Sequence, residues 1–405
     1  MRIGILASHP IQYDAPLYRA LAERAEVMVY YAHRQDAEGQ AAAGFGVEFE
    51  WDRDLLDSYP YRFLTNESAT PSTDTFFGCD TPEISGHVAG DGFDAFVLNG
   101  WYLKSHWQAV RACRKQNIPV LVRGDSHLRT PRSKVTQAVK EIGYRIFLRA
   151  FDGFLYVGQR NREYLEHYGV PQRKLFFCPR FVDNDWFRTR AAEAAAEVAP
   201  LRRRMLREAG ASDADTEKTT VLLFVGKFTE EKRPQDLLHA ADQLHKTRCD
   251  VAITYVGSGP LGGMLRREAK IASVPVHFAG FKNQSKLPLY YAAADLLVLP
   301  SKSETWGLVV NEAMACGLPA VVSDAVGCAP DLVEPGTTGE RFPVGDVDAL
   351  AESVDAMLGC LGDDHLRRAV AETMQTYSLD TAVDGIVGAA RTLSRSPGVP
   401  APSHS

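Results

Sequence analysis

Residues 296–319 read LLVLPSKSETWGLVVNEAMACGLP, and the fold can be argued from this stretch. The apolar run Leu296–Leu299 predicts a short strand, and Val309–Cys316 predicts a helix that ends at Gly317. The strand is apolar on both faces, which is typical of a strand in a parallel sheet covered by helices on each side. A buried strand, a polar loop and a helix in this order therefore indicate one unit of a doubly wound α/β domain.

The same alternation of strand and helix extends along most of the chain. Short apolar runs are separated by stretches long enough for a helix. In the N-terminal half the predicted strands are Ile3–Ala7, Val27–Tyr31, Ala95–Leu98, Pro119–Val122, Phe154–Val157 and Leu175–Phe177. In the C-terminal half they are Thr220–Val225, Val251–Val256, Val276–Phe278, Leu296–Leu299 and Ala320–Val322. Two such series predict an α/β protein with two doubly wound domains, each built on a parallel sheet.

The alternation is interrupted between Arg188 and Thr220. This segment is rich in Ala, Arg and Glu and then turns polar, which predicts an exposed connecting helix followed by a linker. We therefore expect an N-terminal domain over residues 1–187 and a C-terminal domain over residues 188–375.

Three other segments stand apart from the two series of strands. Residues 376–393 predict a last helix that can pack back on the N-terminal domain. The Ser- and Pro-rich residues 394–405 are expected to be disordered. Residues 40–87 show little periodicity and predict long loops, which is where binding residues often lie.

The composition excludes several classes of protein. The 405 residues carry 45 Lys and Arg against 51 Asp and Glu, which argues against binding nucleic acid through overall charge. The seven cysteines are scattered without Cys-x-x-Cys spacing, so we expect buried free thiols in a reducing compartment. The N-terminus does not resemble a signal peptide, and no apolar run approaches the ~18 residues of a membrane-spanning helix. We expect a cytoplasmic protein.

The loop before the helix over residues 309–316 has the features of an anion site. Gly307 lies close to the start of that helix, and the first N–H groups of a helix have no partner within it. Glu304 lies in the loop and Glu312 lies eight residues later on the helix. Both carboxylates could therefore meet hydroxyl groups of one ligand. Taken alone, such a pair of glutamates is more often solvated.

With its neighbours, this stretch resembles the signature of the family-4 retaining glycosyltransferases, which have two Rossmann-like domains facing each other across a cleft (the GT-B fold). The family shows a Glu, a Gly three residues later, a second Glu eight residues after the first, and then Ala-Met-Ala-x-Gly-x-Pro. The matching residues are Glu304, Gly307, Glu312, Ala313, Met314, Ala315, Gly317 and Pro319. The resemblance implies that Glu304 lies beside the donor sugar and that Glu312 binds the ribose. It also implies that the donor site includes Thr305, Trp306, Gly307 and Leu308.

A second stretch resembles the same family. Phe224–Pro234 follows a predicted strand and corresponds to the family's Gly-Arg-Leu…Glu-Lys segment, whose Arg and Lys bind the donor diphosphate. Gly226 and Lys232 match, whereas Lys227 replaces the usual Arg and keeps the charge without the bidentate geometry of a guanidinium. The resemblance implies that Lys227 and Lys232 bind the diphosphate and that Lys232, with Glu304, is catalytic.

Three shorter segments follow the order seen in the family. Val256–Pro260 is a turn after a strand, and its Gly257 would let the backbone approach a ligand. Phe281 and Lys282 lie where the family holds the nucleotide base, so the resemblance implies that they bind the donor. Pro179–Asp183 lies where the family has Pro-Asn-Gly-Val-Asp at its hinge, with Arg-Phe here in place of Asn-Gly.

The resemblance is slight in the N-terminal half, where the family binds the acceptor. The loop after the first strand reads Ser-His-Pro-Ile-Gln-Tyr-Asp, without the glycine pair that many members have. Its residues His9, Gln12 and Asp14 are candidates for the cleft because they follow the first strand. Capping and turn formation before the helix that starts near Ala15 is the alternative.

A second loop of the N-terminal half offers candidate catalytic residues. After the strand Pro119–Val122, the family often places a His, sometimes an Asp, next to the reacting carbon. Asp125 lies at that position and His127 lies two residues later. Either side chain could hydrogen-bond the acceptor hydroxyl or a hydroxyl of the donor sugar. A helix cap is again the alternative.

These features predict a retaining glycosyltransferase that moves a sugar from a UDP- or GDP-sugar to a hydroxyl acceptor, which could be a glycan, a lipid-linked molecule or a small molecule. The resemblance implies front-face attack, in which the departing diphosphate helps to take the acceptor proton. Lys227, Lys232 and the helix N-terminus would supply the charge that a metal supplies elsewhere, so no metal or other cofactor is expected. Asp-x-Asp spacing occurs at 183–185 and 213–215, outside the predicted donor site.

Two alternatives to a glycosyltransferase remain at this stage. An epimerase of the same fold would use the same nucleotide sugars. A non-catalytic protein that binds sugar nucleotides would need less than the full set of glutamates and lysines.

The stretch Arg129–Arg149 suggests a further partner. It contains six basic residues against a single acidic one, Glu141, with apolar residues interleaved. A helix of this kind can lie on an anionic membrane, although a helix with one core face and one solvated face shows the same pattern. A peripheral contact with the inner face of the membrane is the resulting hypothesis.

Overall fold

A computed structural model describes residues 1–34, 54–129, 134–211, 218–248 and 250–394. The chain forms two compact units. The first contains the described residues of Met1–Gln35, Asp54–Pro179 and Leu379–Ser405, and the second contains those of Arg180–Ser378. The functional limits at residues 187 and 375 stay a prediction, and residues 395–405 of the predicted tail lie outside the described residues.

The first unit is built on a parallel sheet. Its described strands are β1 (Arg2–Ala7), β2 (Glu26–Tyr31), β3 (Tyr61–Phe63), β4 (Ala95–Asn99), β5 (Val120–Gly124), β6 (Gly153–Tyr156) and β7 (Leu175–Phe177). They lie in the order β3-β2-β1-β4-β5-β6-β7, and each neighbouring pair is parallel. The accompanying helices are α1 (Ala15–Arg24), α2 (Ile84–Gly90), α3 (Lys104–Lys115), α4 (Lys134–Phe147) and α5 (Gln159–His167).

The second unit repeats this architecture. Its strands are β8 (Thr220–Val225), β9 (Val251–Val256), β10 (Val276–Gly280), β11 (Leu296–Leu299), β12 (Ala320–Ser323) and β13 (Gly339–Phe342). The order is β10-β9-β8-β11-β12-β13, again with parallel pairs. Its helices are α6 (Asn184–Glu193), α7 (Ala195–Ala209), α8 (Pro234–Arg248), α9 (Gly262–Ala269), α10 (Leu287–Ala292), α11 (Leu308–Ala315), α12 (Ala329–Leu332), α13 (Val347–Leu358) and α14 (Asp364–Thr376).

The last helix, α15 (Leu379–Ser394), belongs to the first unit although it follows the second in sequence. It packs against α1, β6 and β7. The contact is close at Gly385, where a Cβ atom would lie 2.0 Å from the carbonyl oxygen of Phe177. The polar end of the contact is an ion pair between Arg24 and Asp384.

The predicted α/β fold is confirmed, because the strands predicted from apolar runs all form within a few residues of their predicted limits. Two strands were not predicted: the short edge strands β3 and β13. The expectation of loops over residues 40–87 is wrong at β3 and at the start of α2, and residues 40–53 lie outside the described residues. These two edge strands read Tyr-Arg-Phe and Gly-Glu-Arg-Phe, so they lack the continuous apolar run by which the other strands are predicted.

Two other expectations need correction. The segment after Arg188 was expected to form one exposed helix, but it forms α7 after the end of α6, and α7 buries Leu201 and Met205 as it packs on β9 and β10. The cysteines were all expected to be buried, but Cys360 is exposed. Cys249 lies outside the described residues. Among the helices that the structure describes, none has the length and hydropathy needed to cross a bilayer.

Candidate functional site

The candidate site of the second unit lies where the strand order of its sheet reverses, between β8 and β11. In open parallel sheets, ligands bind outside the carboxyl ends of the strands at such a point. The loop after β8 (226–233) and the loop after β11 (300–307) both start there. The backbone N–H of Lys302 donates to the carbonyl of Glu231 at 2.7 Å, so the two loops are directly bonded to each other.

A lysine and a glutamate, one from each loop, form the centre of this site. Lys232 Nζ donates to Glu304 Oε1, and the two side chains are only 24% and 13% exposed. The buried Ser301 donates its hydroxyl to the same Glu304 oxygen at 3.2 Å. The fold thus brings together two residues that are 72 positions apart in the sequence.

Lys227 belongs to the same electrostatic cluster. Burial lowers the pKa of its ammonium group, the neighbouring Lys232 ammonium lowers that pKa further, and Glu304 opposes both effects. Two ammonium groups near one carboxylate leave the cluster with one net positive charge, which favours an additional anion. The cluster would therefore be stabilised by a second anion.

The start of α11 adds backbone donors to this site. The helix begins at Leu308, one residue before the predicted Val309, and Gly307 is its N-cap residue with φ of 101°. A Cβ atom at Gly307 would lie 3.0 Å from Val326 Cγ1, so a side chain is disfavoured by both space and conformation. The N–H of Val310 donates to the carbonyl of Gly307 at 2.9 Å, so the N–H groups of Leu308 and Val309 are the ones that can receive an anion.

Glycines shape the side of the site formed by the loop after β9. A Cβ atom at Gly257 would lie 1.9 Å from the carbonyl oxygen of Gly226, and φ of Gly257 is 142°. The backbone N–H of Phe228 donates to the carbonyl of Ser258 at 2.8 Å. Close approach of these two loops therefore explains the Gly257 that the sequence singled out, and it holds the backbone of Lys227 in place.

The second glutamate of the motif lies deeper than the first. Glu312 is 2% exposed on α11, and the phenol of Tyr291 donates to its Oε2 at 2.6 Å. Burial raises the pKa of the nearby Cys316 thiol, and the Glu312 carboxylate raises it further. Glu312 therefore has a fixed position in the interior of the unit rather than on its surface.

The other predicted donor-site residues have different environments. The indole of Trp306 is buried, donates to Asn311 Oδ1 at 2.7 Å and lies 6.0 Å from the Tyr377 ring, so this side chain packs in the unit's interior. Thr305 is exposed and Leu308 is half-buried. The carbonyl of Trp306 accepts from the backbone N–H of Cys328 at 2.8 Å, so the ring and the carbonyl of this residue are both used within the unit.

Phe281 and Lys282 follow the end of β10. Both residues are half-buried, and Lys282 Nζ lies 5.8 Å from the centroid of the Tyr290 ring on α10. The backbone N–H of Gly257 donates to the carbonyl of Gly280 at 3.0 Å, which links the end of β10 to the loop after β9. The loops that follow β8, β9 and β10 are therefore bonded in series.

In the first unit, polar side chains meet at the carboxyl ends of β1, β4 and β5. Arg123 and Asp14 form an ion pair of 3.3 Å with side chains 3% and 9% exposed. Asn99 donates to the phenol oxygen of Tyr18 at 2.6 Å and lies 3.4 Å from the Asp14 carboxylate. Arg123 also donates to the carbonyl of Pro179 at 3.3 Å. This network lies at the point where the strand order of the first sheet reverses.

The network distinguishes the two roles considered for Asp14, a residue of the cleft and a helix cap. Asp14 is the N-cap residue of α1, but its carboxylate makes no capping hydrogen bond. It pairs with Arg123 instead. Gln12, two residues before Asp14, is also buried. Its Oε1 atom has no hydrogen-bond partner among the described residues. His9 is half-buried, and burial, with a further contribution from His33, lowers its pKa.

The candidate catalytic residues of the first unit follow β5. Asp125 is half-buried and His127 is buried. The carbonyl of Ser126, between them, accepts a hydrogen bond of 2.8 Å from Asn161 on α5, which ties this loop to the helix. Both residues lie in the first unit, whereas Lys232 and Glu304 lie in the second.

The Asp-x-Asp spacing at 183–185 has a structural explanation. The carboxylate of Asp183 caps α6 by accepting from the backbone N–H of Trp186 at 3.1 Å, and Asp185 pairs with Arg188 at 2.5 Å. The second such spacing, at 213–215, lies outside the described residues. Within the described ranges, no three His, Cys, Asp or Glu side chains are grouped so that they could hold a metal ion.

Several residues of these networks were missed by the sequence reasoning. They are Tyr18, Asn99, Arg123, Tyr291 and Ser301. For Arg123 and Asn99 a signal existed, because each is a polar residue at the carboxyl end of a buried strand, where ligands bind in such sheets. For Tyr291 the sequence offers none, since a tyrosine next to another tyrosine in an apolar helix is typical of a core.

Two α/β units on doubly wound parallel sheets define the fold class, and solved structures confirm it as GT-B. A glycosyltransferase from Rickettsia africae aligns over 98% of this chain and 99% of its own, with a TM-score of 0.70 and 13% identity. The Anabaena protein HepE in complex with UDP and glucose aligns over 98% of this chain and 100% of its own, with a TM-score of 0.65 and 18% identity. At such identities the likeness concerns the fold alone.

The sequence comparisons concern the second unit. Residues 208–373 match the family Glycosyl transferases group 1. A D-inositol 3-phosphate glycosyltransferase of Mycobacterium sp. (strain KMS) is 36% identical over 169 residues, which are 40% of this chain and 37% of that relative. The chain thus matches little more than a third of the length of such relatives. The similarity to the Glycosyl transferases group 1 family is thus confined to residues of the second unit.

Proposed function

We propose that the protein is a retaining glycosyltransferase that moves a sugar from a nucleotide-sugar donor to a hydroxyl acceptor. The observation that carries this proposal is the contact of Lys232 with Glu304 at the strand-order reversal of the second sheet. The match of residues 208–373 to a glycosyltransferase family supports it. A nucleotide sugar offers a diphosphate to the lysines and hydroxyl groups to the glutamates, so the charges of the site suit this ligand.

The lysines and the helix N-terminus act on the donor diphosphate. Lys227 and Lys232, with the first N–H groups of α11, stabilise the negative charge that grows on the diphosphate as the bond to the sugar breaks. In the structure, Lys232 is paired with Glu304. When the diphosphate binds, it becomes the partner of Lys232, and Glu304 is released to accept hydrogen bonds from the donor sugar.

The reaction replaces one bond to the anomeric carbon by another on the same face of the sugar. The bond from this carbon to the diphosphate oxygen breaks, and the acceptor oxygen forms the new bond. The acceptor proton passes to the departing diphosphate. Asp125 or His127 in the first unit would orient the acceptor hydroxyl or a donor-sugar hydroxyl. The products are a glycoside of retained configuration and a nucleoside diphosphate.

The donor is proposed to be a UDP- or GDP-sugar. A structural neighbour was solved with UDP and glucose, which makes UDP-glucose the first donor to test. Unfolding temperatures measured with each nucleotide sugar would identify the donor, because a ligand that binds only the native state raises apparent stability.

Acceptor-dependent release of nucleoside diphosphate tests the proposed function. The full chain is incubated with the stabilising donor and a panel of glycan, lipid-linked and small-molecule acceptors. Nuclear magnetic resonance of the product then gives the anomeric configuration. An epimerase would convert the donor sugar without an acceptor and without releasing the diphosphate, and a binding protein would do neither. A product of inverted configuration would contradict the retaining mechanism.

Transfer is expected to continue in excess chelator, because lysines and backbone N–H groups supply the positive charge at the diphosphate. The measurement is the initial rate with and without EDTA after the protein has been freed of metal. The rate should stay within about twofold of that of the untreated enzyme, because the charge of the lysines does not depend on a bound metal ion. Complete loss that magnesium restores would contradict metal independence.

The stretch Arg129–Arg149 is expected to give salt-sensitive binding to anionic membranes. In the described part of it, Ile146 is 66% exposed beside the exposed Arg145, and exposed Leu128 precedes it. Co-sedimentation with phosphatidylserine vesicles should occur at low salt and weaken at high salt. Arg145→Glu should weaken it, while Arg188→Glu on α6 serves as a matched control. No binding at low salt would dismiss the hypothesis.

A further inference from the structure

Glu312 occupies an environment that does not favour a carboxylate. It lies on α11, which reads LVVNEAMA, and only 2% of it is exposed. An ionised carboxylate in such surroundings is costly unless hydrogen-bond donors satisfy it. One donor is the phenol of Tyr291, at 2.6 Å from Oε2, and Tyr291 itself is 1% exposed.

The geometry of this hydrogen bond restricts Glu312. The phenol donates its proton to Oε2, so this oxygen has one fixed partner and the carboxylate cannot rotate freely. The Tyr291 ring in turn packs against Phe187 of α6, with ring centroids 6.4 Å apart. Both ends of the hydrogen bond are therefore held by packing inside the second unit.

The short helix α10 connects this hydrogen bond to the predicted base-binding segment. Tyr290, next to Tyr291 on α10, lies with its ring 5.8 Å from Lys282 Nζ. Lys282 follows Phe281, which lies after the end of β10. One helix thus contacts both Glu312 and the segment proposed to hold the nucleotide base.

We infer that Tyr291 is a positioning residue for the donor ribose: its phenol fixes Glu312 so that the carboxylate can accept hydrogen bonds from the ribose hydroxyls. The inference rests on the proposed function, since it assigns Glu312 to the ribose of a nucleotide-sugar donor. Tyr291 acts through Glu312 and does not contact the donor. A carboxylate that the fold already holds in its binding position loses less conformational entropy when the ligand binds. The cost of ordering this side chain is then part of the folding free energy and not of the binding free energy.

The experiment compares two ligands in three proteins. Isothermal titration gives the affinities of the wild-type protein, of Tyr291→Phe and of Tyr290→Phe for UDP and for 2′,3′-dideoxy-UDP, or for the guanosine pair if GDP is the ligand. In the wild type, loss of both hydroxyls should weaken binding by roughly 10- to 100-fold, as expected for hydrogen bonds to a charged group. Tyr291→Phe should reduce this factor to a few-fold, by weakening UDP about tenfold while the dideoxy compound binds as before.

The control separates positioning from a structural role. Tyr290→Phe removes a phenol from the same helix without touching Glu312, and should leave the wild-type factor between the two ligands intact. In transfer assays, Tyr291→Phe should raise the donor KM and preserve kcat, since the ribose hydroxyls do not change during the reaction. Equal weakening of both ligands by Tyr291→Phe would show a merely structural role and overturn the inference.

The outcomes distinguish this inference from the proposed function. The hydroxyl effect is the factor by which the protein binds UDP more tightly than 2′,3′-dideoxy-UDP. If Tyr291→Phe shows the same hydroxyl effect as the wild type, and the wild type transfers sugar, the inference alone is overturned. Loss of the hydroxyl effect in Tyr291→Phe, with no sugar transfer by any protein, supports the inference and overturns the proposed function. If Tyr291→Phe does not fold, Glu312→Gln replaces it, and an unchanged hydroxyl effect in that variant overturns the inference. Binding of neither UDP nor GDP by the wild type overturns both.

Discussion

Lys232→Ala is expected to lower kcat by roughly 10²–10³-fold, the size of effect seen when one donor to a developing oxyanion is removed. The Lys232 ammonium lies where the loops after β8 and β11 meet, and it is only 24% exposed. Negative charge grows on the diphosphate as the sugar leaves, so this ammonium stabilises the transition state more than the bound donor. The donor KM should therefore change less than kcat.

Two further variants test whether the effect is specific to Lys232 and whether it is coupled to Glu304. Lys302→Ala, in the neighbouring loop, removes an exposed lysine and should leave turnover within about twofold of the wild type, as most exposed charges do. Glu304→Ala should affect kcat and the choice of sugar while free nucleoside diphosphate still binds. Because Lys232 and Glu304 are in contact, the effects of their two substitutions should not add.

Steady-state kinetics measures these effects, with circular dichroism to show that each variant is folded. If folded Lys232→Ala and Glu304→Ala both turn over like the wild type, the assigned site is wrong. The mechanism proposed above would then have to be abandoned as well.

Asp14→Ala is expected to lower the free energy of unfolding by about 1–3 kcal/mol, because it removes the carboxylate that pairs with the buried Arg123 guanidinium. The Arg123 side chain is only 3% exposed, so little water can solvate its charge in the folded state. Asn99, which lies 3.4 Å from the Asp14 carboxylate, also loses a neighbour. The effect should be confined to the first unit.

Urea unfolding measures the loss, and hydrogen exchange of the β1 and β5 amides shows whether the first unit is the part that opens. The matched control is Arg188→Ala, which breaks the exposed pair with Asp185 and should cost less than about 1 kcal/mol. Asp14→Asn keeps a polar group of the same size, so its loss of unfolding free energy should lie between those of Asp14→Ala and Arg188→Ala. A loss below about 1 kcal/mol in Asp14→Ala would contradict a stabilising role for the ion pair.

The fold was predictable from the sequence where burial is complete on both faces of a strand. Val251–Val256 and Leu296–Leu299 have the predicted limits because continuous apolar runs bounded by polar turns leave little choice. The edge strand Gly339–Phe342 reads Gly-Glu-Arg-Phe and was missed. Its strand conformation comes from its pairing with β12 and is not predicted by its own residues.

The candidate site was predictable only in part, for a related reason. Glu304, Glu312 and Lys232 are predicted from types and spacing that resemble a known motif, and the structure brings Lys232 and Glu304 into contact. Their partners depend on contacts between distant parts of the chain: Tyr291 lies 21 residues from Glu312, and Arg123 lies 109 residues from Asp14. Neither pairing follows from local sequence, because only the packed sheet and helices bring these side chains together.

The helix α15 determines when the first unit can be completed during synthesis. It covers α1, β6 and β7, yet it is translated only after all of residues 180–378. At about 5–20 residues per second, roughly 10–40 s pass between the end of β7 and the start of α15. During that interval the apolar face that α15 covers is exposed on the nascent chain, and by its end the sequence of residues 180–378 is complete. The unit that starts the chain is therefore the last to finish folding, and a chain that terminates before Leu379 would leave the ribosome with a finished second unit and an open first one.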